Sequence, residues 1–152
     1  MGEDGHSGGC QCGRVRFRVD GPLGRASICH CRMCQKAFGS FFGPLVSAPN
    51  ERFAWTRGEP SWFQSSNKVR RGFCNHCGTP LAYDWGGPAL ELAIGALDDP
   101  ESVPPVLQVG LEHRMSWFSR LADLPTRMAE EQEKVGRFQA DIVSFQHPDR
   151  DT

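Results

Sequence analysis

The chain has 152 residues, with 17 basic against 18 acidic side chains and a formal net charge of −1. That length suits one domain with a core of its own, and the charge balance excludes the basic field that would hold nucleic acid or an anionic membrane. Seven cysteines, seventeen glycines and eleven prolines point instead to thiol chemistry on a turn-rich, mainly β scaffold.

An odd number of thiols does not close into a disulfide framework. No apolar run follows a basic N-terminal segment, so no signal peptide is expected, and no apolar stretch is long enough to cross a bilayer. The expected compartment is the cytoplasm, where thiols stay reduced and close cysteine pairs bind metal or do redox work. Seven divides into four and three: a closed tetrahedral zinc site takes four protein ligands, a catalytic one three.

In chain order, residues 1–9 are polar and glycine-rich and are expected to fray, with His6 exposed in that tail. Cys10 and Cys12, flanked by glycines, lead into Val15-Arg16-Phe17-Arg18-Val19, whose alternation of apolar and basic residues predicts a half-buried strand. Ala26-Ser27-Ile28 predicts a second short strand, running into Cys29-His30-Cys31-Arg32-Met33-Cys34. Residues 35–46 carry Phe38, Phe41 and Phe42 between glycines and read as core and turns, with an aromatic wall beside a metal as the functional alternative.

Further strands are predicted at Phe53-Ala54-Trp55, at residues 61–64, and at 69–73 before Cys74-Asn75-His76-Cys77-Gly78. C-x-x-C-G at a strand end is a zinc-knuckle signature, because the turn aims both thiolates at one ion. The chain is then expected to return as a strand over 79–85, followed by strands over 90–95 and 106–111 and by His113, which reads as a structural hydrogen-bonder. From Pro125 the pattern turns helical. Glu130, Glu131 and Glu133 fall in the early turns, and Met128, Val135, Phe138, Ile142 and Phe145 recur at helical spacing. The expectation is an amphipathic helix over 126–146 packed on its own domain, with a homodimer contact as the alternative.

Two chemistries compete for the thiols. A dithiol redox pair, Cys31/Cys34 or Cys74/Cys77, would sit beside a βαβ unit, and no such unit is predicted. Sulfur-only ligation favours zinc over an iron–sulfur cluster. Spacing alone leaves open which thiols share an ion.

The ordered motifs resemble the glutathione-dependent formaldehyde-activating enzyme family, which also includes the centromere protein V relatives. The resemblance rests on Gly9-Cys10-Gln11-Cys12-Gly13, Cys29-His30-Cys31-Arg32-Met33-Cys34, Gly58-Glu59-Pro60, Ser65-Ser66, residues 71–81 around Cys74-Asn75-His76-Cys77, and Gly95-Ala96-Leu97-Asp98-Asp99-Pro100. Weaker echoes follow at His113, Trp117 and Asp123-Leu124-Pro125. It implies a mainly β fold of coiled antiparallel sheets over residues 8–125, with residues 126–146 as a helical extension. It implies two zinc ions, a structural one on Cys10, Cys12, Cys74 and Cys77 and a catalytic one on Cys29, Cys31 and Cys34.

The implied activity is that of a carbon–sulfur lyase: glutathione adding to formaldehyde to give S-hydroxymethylglutathione, or the reverse. Arg32, Arg57, Lys68, Arg70 and Arg71 are candidates to meet the carboxylates of glutathione. The competing reading is a zinc-stabilised, non-catalytic interaction module, in which His30, His76 or His113 closes the triplet's site as a fourth ligand.

Overall fold

The structure is a computed structural model that describes residues 5–152. The expected fraying of residues 1–4 lies outside the described residues, and the rest of that tail is ordered. His6–Gly9 form strand β1, pairing antiparallel with β2 (Arg16–Val19), and His6 is half-buried. β2 pairs in turn with β5 (Phe53–Arg57), so β1-β2-β5 make a three-stranded sheet.

The larger sheet has seven strands. They are β3 (Ala26–Cys29), β4 (Gly43–Pro49), β6 (Ser61–Gln64), β7 (Arg70–Phe73), β8 (Pro80–Asp84), β9 (Ala89–Ala93) and β10 (Leu107–Val109), in the order β10-β3-β4-β9-β8-β7-β6. Every pairing is antiparallel except that of β10 with β3. The expected mainly β, antiparallel architecture is what the chain adopts.

One cluster joins the two sheets. Phe17 and Val19 from β2 meet Val46 from β4, Leu81 from β8 and Leu92 from β9, all fully buried. Large apolar side chains removed from water contribute roughly 1.5–3 kcal/mol each, and this shared core holds the sheets face to face. Cys10 and Cys74 belong to the same cluster. The period-two pattern in β2 has one exception. Arg16 is 2% exposed where alternation predicts solvent, and its guanidinium is paired with Asp98.

Two local readings differ from expectation. The stretch after Cys31 contains a helix, α1 (Arg32–Phe38). It is under two turns long, too short for a periodic stripe, and its N-cap is a thiol: Cys31 Sγ accepts from the Cys34 amide at 3.4 Å. It closes on Gly39 at φ 60°, a left-handed C-cap conformation that glycine adopts without strain. The segment read as core and turns contains β4, a central strand. Its prolines, Pro44 and Pro49, sit near its ends, where a missing amide costs least. Residues 58–60 carry the chain from one sheet to the other, since β5 and β6 belong to different sheets.

Residues 115–145 form a compact unit of their own. It holds a six-residue 3-10 turn, Phe118–Asp123, and helix α2, Ala129–Gln139, which has no buried residue. The helix is shorter than the expected 126–146, and Met128, Ile142 and Phe145 of the expected stripe fall outside it. Leu124 keeps the extended backbone usual before proline, φ −63° and ψ 133°, and Asp141, Ile142, Val143 and Ser144 are poor helix formers. Glu133 and Arg137 pair one turn apart on its exposed face.

Candidate functional site

The seven thiols fall into two groups. The Sγ atoms of Cys10, Cys12, Cys74 and Cys77 lie within 4.8 Å of one another, and so do those of Cys29, Cys31 and Cys34. Among the described residues, no histidine or carboxylate joins either group.

The four-thiol group is built by two turns that face each other. Cys10 and Cys12 precede β2, and Cys74 and Cys77 occupy the β7–β8 turn. Cys10 Sγ lies 3.5 Å from Cys12 Sγ, which lies 3.8 Å from Cys74 Sγ. Four sulfurs at the usual zinc–sulfur distance sit on a tetrahedron with edges of about 3.8 Å, so these separations suit zinc. Cys10 and Cys74 are 3% and 1% exposed. The Val15 amide donates to Cys10 Sγ at 3.3 Å, and Thr79 Oγ1 lies 3.2 Å from Cys77 Sγ.

Residues 146–152 come back to this same place. His147 N donates to the Gln11 carbonyl at 2.8 Å, Arg16 Nη2 to the Arg150 carbonyl at 2.8 Å, and Arg57 Nη2 to the Thr152 carbonyl at 2.8 Å. Nothing in the local sequence of that segment signals this docking, since its partners lie more than 90 residues away.

The triplet sits where β3 runs into α1. Gln35, buried at 2%, holds the loop: its Nε2 donates to the carbonyls of His30 and His113, at 2.7 and 3.1 Å, and its Oε1 accepts from Arg32. His30 is fully buried, with Nε2 2.9 Å from Gln108 Oε1, and His113 enters through its backbone. The histidines weighed as a fourth ligand are therefore absent from the group. Phe38 provides part of an aromatic wall. A Cβ on Gly43 would meet the Phe38 ring at 2.9 Å and Cys34 Cβ at 3.0 Å, so a side chain there would have to displace one of them. Phe42 packs against the His30 ring at 6.3 Å between centroids.

Two side chains from the neighbouring strands complete the surroundings. Arg71, 8% exposed, donates from Nη2 to Cys34 Sγ at 3.5 Å and from Nε to Ser65 Oγ at 3.2 Å. Its guanidinium lies 5.0 Å from the ring centre of Tyr83, its register partner on β8. Sequence reading placed Arg71 among five basic candidates and missed Tyr83; its being the only tyrosine was a weak available signal. Arg32, at the start of α1, bonds to Gln35, and the other three candidates lie elsewhere. Arg57 bonds to the Gly13 and Thr152 carbonyls, Arg70 pairs with Asp84 and stacks on Trp62, and Lys68 is exposed on a turn.

Crowding sets the thiols' acidity. Burial pushes Cys12 and Cys29 up to about 12, and neighbouring thiols add to the rise. Burial also raises Cys34, against the hydrogen bond and charge of Arg71. Burial opposes ionisation at Cys77 too, yet donors from Thr79 and Cys12 bring it down to about 6. Each cluster thus stabilises some thiolate charge and resists the rest, and a bound dication supplies what is missing. The donor set fits zinc at both places.

A β scaffold with one closed and one three-membered thiol cluster defines a class of zinc-compatible β proteins. Residues 5–112 match the family described as glutathione-dependent formaldehyde-activating enzyme, and the chain belongs to that family. A crystal structure of a Rhodobacter sphaeroides protein, a structural genomics target, shares the fold. It has a TM-score of 0.55 at 21% identity, covering 68% of this chain and 99% of that one. Among the described residues, no helix is long and apolar enough to cross a membrane.

Proposed function

We propose that this protein is a zinc-dependent carbon–sulfur lyase that joins glutathione to formaldehyde as S-hydroxymethylglutathione and cleaves the adduct in reverse. In this reading Cys29, Cys31 and Cys34 hold the catalytic zinc, and Cys10, Cys12, Cys74 and Cys77 hold a structural one. The observation that carries it is the division of the thiols, in a chain of this family, into a group of four and a group of three that, among the described residues, no histidine or carboxylate joins. Three protein ligands leave one coordination position for substrate.

Zinc bound by the triplet supplies a Lewis acid that favours the ionised form of an incoming thiol. In the addition, the thiol sulfur bonds to the aldehyde carbon, the carbonyl π pair moves onto oxygen, and the proton lost by the thiol ends on that oxygen. Three thiolates carry one negative charge more than a dication neutralises. Arg71, buried and bonded to Cys34 Sγ, offsets that excess and keeps a positive charge beside the oxygen as it becomes anionic. Tyr83 stands close enough to feel the charge of all three thiols. Burial pushes its hydroxyl up, Arg71 opposes and the thiols add, so it stays protonated and able to donate.

The test is the rate of exchange among glutathione, formaldehyde and their adduct, followed by NMR on the zinc-loaded protein. The parent should accelerate it, and Cys31→Ser should return it to the uncatalysed rate. A parent no faster than buffer rejects the proposal.

A further inference from the structure

A cavity of about 460 Å³ opens beside the triplet, walled by Arg32, Met33 and Lys36 of α1 and by Phe63, Ser65 and Arg71 across from them. Its lining holds three cations and no carboxylate. Among the described residues, no ion pair involves Arg32, Lys36 or Arg71, whereas Arg16, Arg18 and Arg70 each meet an aspartate. Three cations that no carboxylate offsets thus stand together around this cavity, next to the thiol cluster.

Resting on the activity proposed above, we propose that this cavity holds the body of the thiol substrate and that Arg32 and Lys36 take its carboxylates. Arg32 and Lys36 are four residues apart on α1, so their side chains share one face. Arg32 is held toward Gln35 Oε1, which fixes part of its guanidinium and leaves its other donors for a ligand. Arg71 stands at the opposite wall, where its Nη2 reaches Cys34 Sγ at 3.5 Å. A ligand with its sulfur at the triplet and its carboxylates a few bonds away spans from Arg71 to the α1 face. Met33 and Phe63, 52% and 64% exposed, give it an apolar surface to lie on. A small neutral thiol gains nothing from this wall, so the cavity selects anionic thiols.

The experiment is calorimetric titration of the zinc-loaded full chain with glutathione and with glutathione diethyl ester, whose carboxylates are masked. The parent should bind glutathione about tenfold tighter than the ester, the scale set by two partly exposed charge contacts. Arg32→Ala/Lys36→Ala should lose that preference by weakening glutathione alone. Both positions are exposed and alanine favours helix, so zinc content and melting temperature should match the parent. Lys36→Glu is a second variant that leaves Arg32 in place and should weaken glutathione further than removal of the lysine charge would. Undiminished glutathione binding in both variants, or equal loss of both ligands, overturns the proposal. If Cys31→Ser abolishes binding while the α1 variants do not, the carboxylate wall alone is wrong. If the parent binds neither thiol, the proposed activity falls with it.

Discussion

The two thiol clusters use the same atoms in opposite surroundings. The four-membered group belongs to the core, with Cys10 and Cys74 packed among residues that join the two sheets. Its sulfurs are met by backbone amides and Thr79, and among the described residues no arginine side chain is hydrogen-bonded to them. The three-membered group lies at the end of β3, its sulfur charge met by the buried cation of Arg71 and its flank open to a cavity. Amides around a closed set of ligands hold a metal still. A single buried cation beside an incomplete set leaves room for a reacting molecule. The difference between a structural and a catalytic site, on this reading, is written in what neutralises the thiolates.

The largest expected effect breaks the comparison at the closed site. Structural zinc contributes on the order of 10–16 kcal/mol to folding in small zinc domains, comparable to the roughly 5–15 kcal/mol that is a domain's entire stability. Cys74→Ser should therefore give insoluble or unfolded protein. Cys31→Ser should give a folded one, with bound zinc falling from about two ions per chain to about one. Elemental analysis and circular dichroism on the two variants decide this. Equal folding with undiminished zinc in both would erase the distinction.

A smaller effect comes from the ion pair behind the closed site. Asp98 accepts from Arg16 and Ser7. Burial pushes its carboxyl up, but those hydrogen bonds and the Arg16 charge hold it below the usual range. A depressed carboxylate adds stability that is present above its unfolded value of about 4 and is lost as pH falls through the folded value. Asp98→Asn also strands the buried guanidinium, so it should cost about 3 kcal/mol at neutral pH. That deficit relative to the parent should shrink below about pH 4. Urea melts at matched zinc content across pH give the difference; a deficit independent of pH would remove Asp98 from this role.

The smallest effect sharpens the comparison at the open site. Gly43→Ala puts a Cβ against Phe38 and Cys34, an overpacking of about 1–2 kcal/mol. It should displace α1 enough to lower the adduct exchange rate while the zinc of the four-thiol group stays bound. Unaltered exchange kinetics would show that Cys34 tolerates movement.

The two regions also differed in how far sequence could read them. Cys74-Asn75-His76-Cys77-Gly78 announces its turn by spacing, and a turn so marked brackets the strands on either side of it, β7 and β8. The surroundings of the triplet were not. A helix capped by Cys31 carries no Ser, Thr, Asp or Asn signal, and β4 hides behind Gly43-Pro44 and Ala48-Pro49, which read as turns. Arg16 looked solvent-facing because alternation does not foresee a carboxylate partner 82 residues away.

Local pattern determined the thiol motifs, their order, the β class of the fold and most strand positions, because each depends on residues within a few places of one another. Tertiary structure decided which thiols share a group and which cations are spent. Arg57, Arg70 and Arg71 are alike as letters. Folding gives Arg57 to the carbonyls of Gly13 and Thr152 and Arg70 to Asp84, and brings Arg71 to Cys34. Residues 146–152 likewise reach Gln11, Arg16 and Arg57 only across the fold. Such pairings follow from how two sheets stack over one core, and no short stretch of chain contains both partners.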